Sequence, residues 1–299
     1  MGSNIKRFEE LEIRDDFMFG VIMRNPKYCK PFLETVLNIK IGHIEYPKSQ
    51  EIIDLSADAK GVRLDVYVED GKGTVYNIEM QTTIDKNIPK RMRYYQGMID
   101  LNILEKGEDY RSLKKSFVIF VCTFDLFGQG RHVYTFENRC VQDLELPLSD
   151  DTVKIILNTK GILDDVSIEM KSLLDYIDGK EPEDDFTKEL DDAVNEVRDN
   201  EKWRLEYMTL QMSYQEKYEM GVQDGIELGI EQGIERGALE STITLVCKKL
   251  KKNKSLSQIA DELEEDESKI KIIYDIAVNE NLECNTDAIY DKVMKIYNK

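Results

Sequence analysis

The sequence contains no long hydrophobic run. Nowhere do about 18 apolar residues follow one another, the minimum for a transmembrane helix, so we expect no membrane association. Residues 1–8 also lack the apolar stretch of a secretory signal. These two absences predict a cytoplasmic protein.

Residues that bind zinc are scarce. The chain has two histidines and five cysteines, none of them in the close pairs that structural zinc sites use. An odd number of scattered cysteines favours reduced thiols, as in cytoplasmic proteins. We therefore expect no zinc site, and His43 and His132 are assigned no role. The cysteines are Cys29, Cys122, Cys140, Cys247 and Cys284.

Positive charge is also in short supply. Lys and Arg number 41 against 59 Asp and Glu, which gives a net charge of −18. Such a protein repels the phosphate backbone unless local basic groups or bound cations reverse the field. The charge therefore argues against a general nucleic-acid coat protein. It leaves room for a carboxylate site that is positive when loaded with divalent metal.

The composition of the sequence and the spacing of its apolar residues change along the chain. Residues 1–177 alternate between helical and strand periods, which predicts a mixed α/β core. Residues 178–202 are heavily charged, with one helical stretch after Pro182, and predict a solvated connector. Residues 203–240 predict a glycine-periodic helix, and residues 241–299 a small helical module.

Within the core, the predicted order is helix, strands, helix, strand. The first helix spans residues 14–37 and is interrupted at Asn25-Pro26, and the second spans residues 89–105. The predicted strands are residues 62–69, 75–81, 116–124, 131–137 and 154–158.

Asp65 and Glu79 are predicted to lie opposite one another in a hairpin. Apolar residues alternate along both strands, and only a register that pairs odd with odd positions places them on one face. A loop of three residues, 71–73, produces this register. Its glycines can adopt the positive φ that such a loop requires. The same register pairs Arg63 with Gln81.

Two carboxylates at such positions have β-carbons about 5 Å apart, and like charges directly opposite destabilise a sheet. A divalent cation between them removes the repulsion, because Mg²⁺ prefers carboxylate oxygens and water. The spacing alone leaves an alternative, in which Asp65 and Glu79 lie on a solvated sheet face among screening cations such as Arg63.

A family resemblance favours the metal site. Residues 64–68 read Leu-Asp-Val-Tyr-Val, and residues 76–81 read Tyr-Asn-Ile-Glu-Met-Gln after a glycine turn. This pattern resembles the PD-(D/E)xK nuclease superfamily, in particular its branch of Rpn-like recombination-promoting nucleases or putative transposases. The superfamily has Glu-x-Lys in the second strand, and Gln81 replaces the lysine here, as in the branch. Residues 91–95, 122–128, 134–138, 157–161, 204–208 and the glycine-punctuated tail also match.

The resemblance implies an α/β (α+β) fold, with a restriction-endonuclease-like αβββαβ core and a helical C-terminal extension. It implies a DNA endonuclease that uses Mg²⁺ (or Mn²⁺) in recombination or transposition, and we expect its activity to be weak because the lysine is replaced. Asp65 and Glu79 would bind the metal together with the Met80 carbonyl, and Gln81 would hold a water molecule. Asp16 is a candidate extra acidic ligand; alternatively, it merely favours a helix N-terminus.

A basic cluster follows Gln81 in the sequence. Arg can hold a phosphate with a bidentate fork, so these residues are candidates for binding the scissile phosphate; alternatively, they form an ordinary charged helix face. Arg91 is the foremost candidate, because positive charge at a helix start opposes the macrodipole and so calls for a reason. The cluster comprises Lys86, Lys90, Arg91 and Arg93.

Glycine recurs every fourth residue from Gly221 to Gly237. Each glycine costs a helix about 0.8–1 kcal/mol relative to alanine, and close contact with a second helix would recover this loss. We predict a homo-oligomer formed through this segment; the alternative is a flexible spacer. The basic run 248–254 and the helices after it resemble a helix-turn-helix, but the acidic residues at the turn favour a helical cap or protein-contact module.

Two further functions stay open at this point. One is a catalytically weak homologue that acts as an oligomeric DNA- or protein-binding module. The other is an RNA nuclease, because the chemistry of the site would be the same for either backbone.

Overall fold

The structure is a computed structural model that describes residues 6–46, 65–279 and 285–297. The chain forms two compact units, Met1–Gln211 and Met212–Lys299. None of the helices within those ranges is long and apolar enough to cross a membrane.

The first unit is built on a mixed six-stranded sheet with the strand order β1-β2-β3-β4-β6-β5. Strands β3, β4 and β6 run parallel, and the other neighbours pair antiparallel. The strands are β1 (Ile44–Glu45), β2 (Val66–Asp70), β3 (Val75–Gln81), β4 (Ser116–Cys122), β5 (Val133–Phe136) and β6 (Thr152–Asn158). The helices are α1 (Asp16–Met23), α2 (Pro26–Leu37), α3 (Ile88–Ile103), α4 (Ile168–Ile177), α5 (Asp185–Arg198) and the start of α6 (Glu201–Leu250). The predicted αβββαβ core and helical extension are confirmed.

The first helical region breaks where the sequence predicts. Asn25 lies in an extended conformation between α1 and α2, and its side chain accepts a hydrogen bond from the Lys27 N–H. Pro26 occupies the first turn of α2, where the missing N–H costs nothing. The Asn-Pro pair therefore ends one helix and starts the next.

The hairpin has the predicted register. Val66 pairs with Ile78 and Glu69 with Val75, which corresponds to a loop of residues 71–73. Gly73 adopts a φ of +82°, where a side chain would be strained. The Asp70 carboxylate closes the turn by accepting the N–H groups of residues 72 and 74. Residues 62–64 of the predicted strand, with Arg63, lie outside the described residues.

Both faces of this sheet are covered. Val66, Ile78 and Met80 belong to the main core, together with side chains of α1, α2, α4 and α5. The opposite face carries Tyr67 and Val75, which pack beneath α3. Burial of each large apolar side chain contributes about 1.5–3 kcal/mol, so α3 is a structural part of the unit.

Residues 178–202 do not form the predicted solvated connector. Most of the segment is helix α5, and its side chains Leu190, Ala193 and Val194 are buried in the main core. Asp184 and Thr187 form a capping box at its start. The charges occupy only the outer face of an amphipathic helix, which explains why composition suggested a connector.

The second unit has a core of its own. It contains the rest of α6, α7 (Leu256–Leu263), α8 (Glu267–Asn279) and α9 (Thr286–Tyr297). Ile243, Ile259, Ile273 and Ile289 lie at the centre of the buried cluster. The glycine-periodic stretch is helical and exposed, and apart from the adjacent turns of the helix itself, no atom of the described residues lies within 4 Å of a Cβ built on any of its glycines.

Candidate active site

Asp65 and Glu79 come together through the hairpin. Asp65 lies directly before β2, and the register of β2 with β3 brings it beside Glu79. The Asp65 N–H donates to Glu79 Oε1 at 3.2 Å, and the Met80 N–H donates to Asp65 Oδ2 at 3.2 Å. These bonds tie the two carboxylates to adjacent backbone segments, so their positions are defined by the sheet.

Glu79 is not on a solvated face. Its side chain is 3% exposed, because α3 covers the odd-numbered face of the hairpin. Burial and the charge of Asp65 raise the pKa of Glu79 well above its usual value, and the Asp65 N–H and Arg91 only partly offset this. The alternative of a wet, screened sheet face is therefore wrong. The two carboxylates form a buried, mutually repelling pair.

Gln81 is held at both ends of its side chain. Its Oε1 accepts a hydrogen bond from Arg91 Nη1 at 2.7 Å, and its Nε2 donates to the Thr83 carbonyl at 2.7 Å. These two bonds also set which way the amide faces. The predicted water-holding atoms of Gln81 are thus already engaged with protein groups.

Arg91 is the basic residue that reaches the carboxylates. Its Nη2 lies 3.9 Å from Glu79 Oε2 and donates to the Tyr95 hydroxyl at 3.1 Å. The guanidinium group also packs over the ring of Phe120, 5.2 Å from the ring centre. Cation–π contact and hydrogen bonds together hold a partly desolvated charge beside Glu79.

The other basic candidates lie differently. Lys86, Lys90 and Arg93 are exposed around the start of α3, and none of them forms an ion pair with any residue that the structure describes. They remain available to solvent, as phosphate-binding groups must be. Their role in substrate binding stays a prediction.

Asp16 does not join the pair. It is exposed in the first turn of α1, one helical turn before Gly20, which faces the Asp65 carbonyl. Within the described ranges, no three His, Cys, Asp or Glu side chains gather closely enough to hold a metal. A role for Asp16 as an additional ligand is thus still a prediction.

Asn77 is a site residue that the sequence analysis did not single out. It lies two positions before Glu79 on the same face of β3 and is 0% exposed. Among the described residues, neither its Nδ2 nor its Oδ1 forms a hydrogen bond of normal geometry. The amide is nevertheless close enough to the Glu79 carboxylate to lower the pKa of that group. The strand position of Asn77 could have identified it from the sequence, because the odd-numbered residues of β3 lie on the same face as Glu79.

Residues 122–128, one of the stretches that resemble the family, form the end of β4 and the loop that follows it beside the site. Cys122 pairs with Gln81 across β4 and β3, so the loop after β4 starts where the site ends. The Asp125 carboxylate accepts N–H groups from Phe127, Gly128 and Gly130. These bonds lower the pKa of Asp125 against the effect of burial, and they give this carboxylate a structural role.

The stretch 157–161 also has a structural explanation. Asn158 donates to the Arg131 carbonyl at 2.7 Å and accepts the Lys160 N–H at 2.9 Å. A Cβ at Gly161 would lie 2.4 Å from the ring of His132, so only glycine fits there. His132 is buried, and its Nδ1 is 2.7 Å from Asp165. These contacts hold the loop before β5 and the loop after β6 together.

Residues 16–162 match the family model described as PD-(D/E)XK nuclease family transposase. Over this range the chain is similar to that family. The resemblance inferred from the hairpin motif is confirmed, and the family implies a nuclease- or transposase-like function. Neither the curated proteins nor the solved structures compared with the chain gave a match.

The residues present fit a divalent cation of the kind this family typically uses. Two carboxylates lie side by side, and Glu79 is buried while Arg91 brings a single positive charge to it. Oxygen ligands of this kind suit Mg²⁺ or Mn²⁺. The donor set therefore agrees with the family.

Proposed function

We propose that the chain is a divalent-metal-dependent DNA endonuclease that hydrolyses phosphodiester bonds in recombination or transposition. The observation that supports this most directly is the buried Asp65–Glu79 pair. Like charges at such a place destabilise the fold, so their presence is accounted for by a cation that the site binds.

In this proposal, Asp65, Glu79 and the Met80 carbonyl hold Mg²⁺ or Mn²⁺. When bound, the cation supplies a lowered pKa to a coordinated water and positive charge near the scissile phosphate. The protein contributes orientation: the hydrogen bond from the Met80 N–H holds Asp65, and the one from the Asp65 N–H holds Glu79. Asp16 is a further acidic candidate near this group.

DNA binding is assigned to the exposed basic residues at the start of α3. Lys86, Lys90 and Arg93 face solvent there, and Arg91 lies at the carboxylates. With a net charge of −18, the chain needs such a local positive group to approach phosphate. We expect binding to weaken steeply with salt, because each phosphate contact releases counterions.

The test is nicking of supercoiled plasmid with Mg²⁺ and with Mn²⁺. Asp65→Asn and Glu79→Gln keep the shape of each side chain and should abolish cleavage while the protein stays folded. Glu69→Gln is the matched control, since Glu69 lies in the same hairpin but pairs with Lys114 at 2.6 Å. Equal cleavage by wild type and folded Glu79→Gln protein contradicts the proposal. A parallel assay on single-stranded RNA distinguishes an RNA nuclease.

A second candidate is a catalytically weak homologue that acts as an oligomeric DNA- or protein-binding module. The observation that favours it is the apolar stripe of α6, in which Ile226, Ile230 and Ile234 are each more than half exposed. Exposed apolar side chains beside smooth glycine positions suit contact with a second copy. Light scattering of the full chain should show an oligomer, and Ile230→Glu should dissociate it. A monomeric wild-type protein contradicts this candidate.

A further inference from the structure

The Gln81 side chain is already committed to other protein groups. The superfamily has a lysine at this position, and an amide cannot supply its charge. Here the Gln81 carbonyl oxygen accepts from Arg91, and its amide nitrogen donates to the Thr83 carbonyl. The Gln81 side chain is therefore placed to hold the Arg91 side chain in position.

The group that Gln81 holds is the positively charged guanidinium of Arg91. The Arg91 guanidinium bonds to Gln81 through Nη1 and to Tyr95 through Nη2, and Phe120 supports its face. Glu79 has one ion pair among the described residues, and it is with this group at 3.9 Å. The positive charge of the site thus comes from Arg91 on α3, ten residues after Gln81 on β3.

We propose that Arg91 is the catalytic cation that replaces the missing lysine, and that Gln81 is the positioning residue that holds it. This inference rests on the proposed nuclease function. Arg91 is still 34% exposed, and its two hydrogen bonds to described residues leave three of its five N–H groups for other partners. Its Nη2 lies 3.9 Å from Glu79 Oε2, so the guanidinium can donate to a phosphate oxygen beside Glu79 as negative charge develops on it.

Arginine suits this arrangement better than a lysine on α3 would. Its planar fork donates to several partners in fixed directions, whereas an ammonium group is a mobile point charge. Gln81, Tyr95 and Phe120 together define the plane of the guanidinium. Arg91→Lys should therefore recover only part of the function.

The alternative is that Arg91 merely clamps Glu79 in place. The two roles differ in their effect on metal binding. A clamp that orders a metal ligand strengthens metal affinity, so its removal weakens binding. A catalytic cation next to a metal ligand repels the incoming ion, so its removal strengthens binding, by about threefold to tenfold. Calorimetric titration of the full-length protein with Mn²⁺ measures this without any catalysis.

The kinetic test compares Arg91→Gln, Gln81→Lys and the double variant Gln81→Lys/Arg91→Gln with the wild type. Arg91→Gln should lower kcat for plasmid nicking by about 100-fold, the usual effect of removing one stabilising donor. DNA affinity measured with Ca²⁺, which does not support cleavage, should change little. In the double variant, the lysine introduced at position 81 restores a positive charge on β3. Its kcat should therefore be at least about tenfold higher than that of Arg91→Gln. Arg111→Gln, in an exposed ion pair with Asp109, is the control.

Several results overturn the inference. They are an Arg91→Gln protein with wild-type kcat, a double variant no faster than Arg91→Gln, or weaker Mn²⁺ binding by Arg91→Gln. Failure of the underlying function has a different signature: the wild type itself gives no cleavage that depends on metal and on Asp65. The Mn²⁺ titration still decides between cation and clamp in that case.

Discussion

Asn77 and Asn158 provide a sharp test of how the first unit is stabilised. Both side chains are 0% exposed, but only Asn158 is bonded, to the Arg131 carbonyl and the Lys160 N–H. Within the part of the chain that the structure describes, neither amide atom of Asn77 forms a hydrogen bond of normal geometry. The same change, asparagine to leucine, should therefore stabilise the protein at one position and destabilise it at the other.

The magnitudes follow from the cost of burying polar groups. An amide buried without a hydrogen bond costs about 1–3 kcal/mol, so Asn77→Leu should raise the free energy of unfolding by an amount of that order. Asn158→Leu removes the partner of the Arg131 carbonyl and of the Lys160 N–H and should lower it by about 1–3 kcal/mol. In a unit of this size, each kcal/mol shifts the melting temperature by about 2–4 °C.

The chain's single tryptophan makes the assay specific for the first unit. Trp203 packs against the main core, so its fluorescence reports unfolding of that unit in guanidinium chloride. If Asn77 serves the adjacent carboxylate Glu79, the more stable Asn77→Leu protein should also cleave DNA more slowly. Destabilisation by Asn77→Leu of 1 kcal/mol or more would refute the reasoning, because it would mean that the amide has a partner in the folded state.

Other predictions follow from the same structure. Leu190→Ala should destabilise the first unit by about 2–5 kcal/mol; a loss below about 0.5 kcal/mol would restore the connector interpretation of residues 178–202. Burial raises the pKa of Cys29 and of Cys122 to about 12, so iodoacetamide at pH 8 should modify Cys140 before either of these two, as peptide mapping can show; equal labelling of Cys29 contradicts this. Because the pKa of Glu79 is raised in the folded protein, the folded state binds more protons, and stability in EDTA should fall as pH rises above about 4.5, by up to 1.4 kcal/mol per pH unit. Glu79→Gln should flatten that dependence, and parallel curves for the two proteins would contradict the assignment.

The hairpin was predictable because two local rules agree. Side chains alternate with a period of two, and the glycines of the loop permit only the register that pairs Val66 with Ile78. The break at Asn25-Pro26 was predictable for a similar reason, since both residues act on their own backbone. Where residues within a few positions determine the structure, the sequence is sufficient.

The covering of Glu79 was not predictable in this way. It depends on α3 folding back over β3, which brings Arg91 to Gln81 and Met92 to the underside of the helix. The charged segment 178–202 failed for a related reason, because a few apolar residues on one face of α5 outweigh many exposed charges. Burial is decided between elements, and the composition of a single element does not show it.

The two faces of β3 differ in how they contribute to stability and function. The even face carries Tyr76, Ile78 and Met80 and is wholly apolar, as the core of a stable sheet should be. The odd face carries Asn77 and Glu79 beneath α3, with an unbonded amide, a buried carboxylate and a cation in the first turn of a helix. Each of these breaks a local rule for stability. Natural chains keep such conflicts where function requires them, and here Asn77 lies two positions from Glu79 on β3 while Arg91 lies 3.9 Å from Glu79. Asn77 and Glu79 are thus the groups whose burial costs stability, so relieving either of them should make the protein more stable and a poorer nuclease. Arg91 is the ion-pair partner of Glu79 and offsets part of that cost.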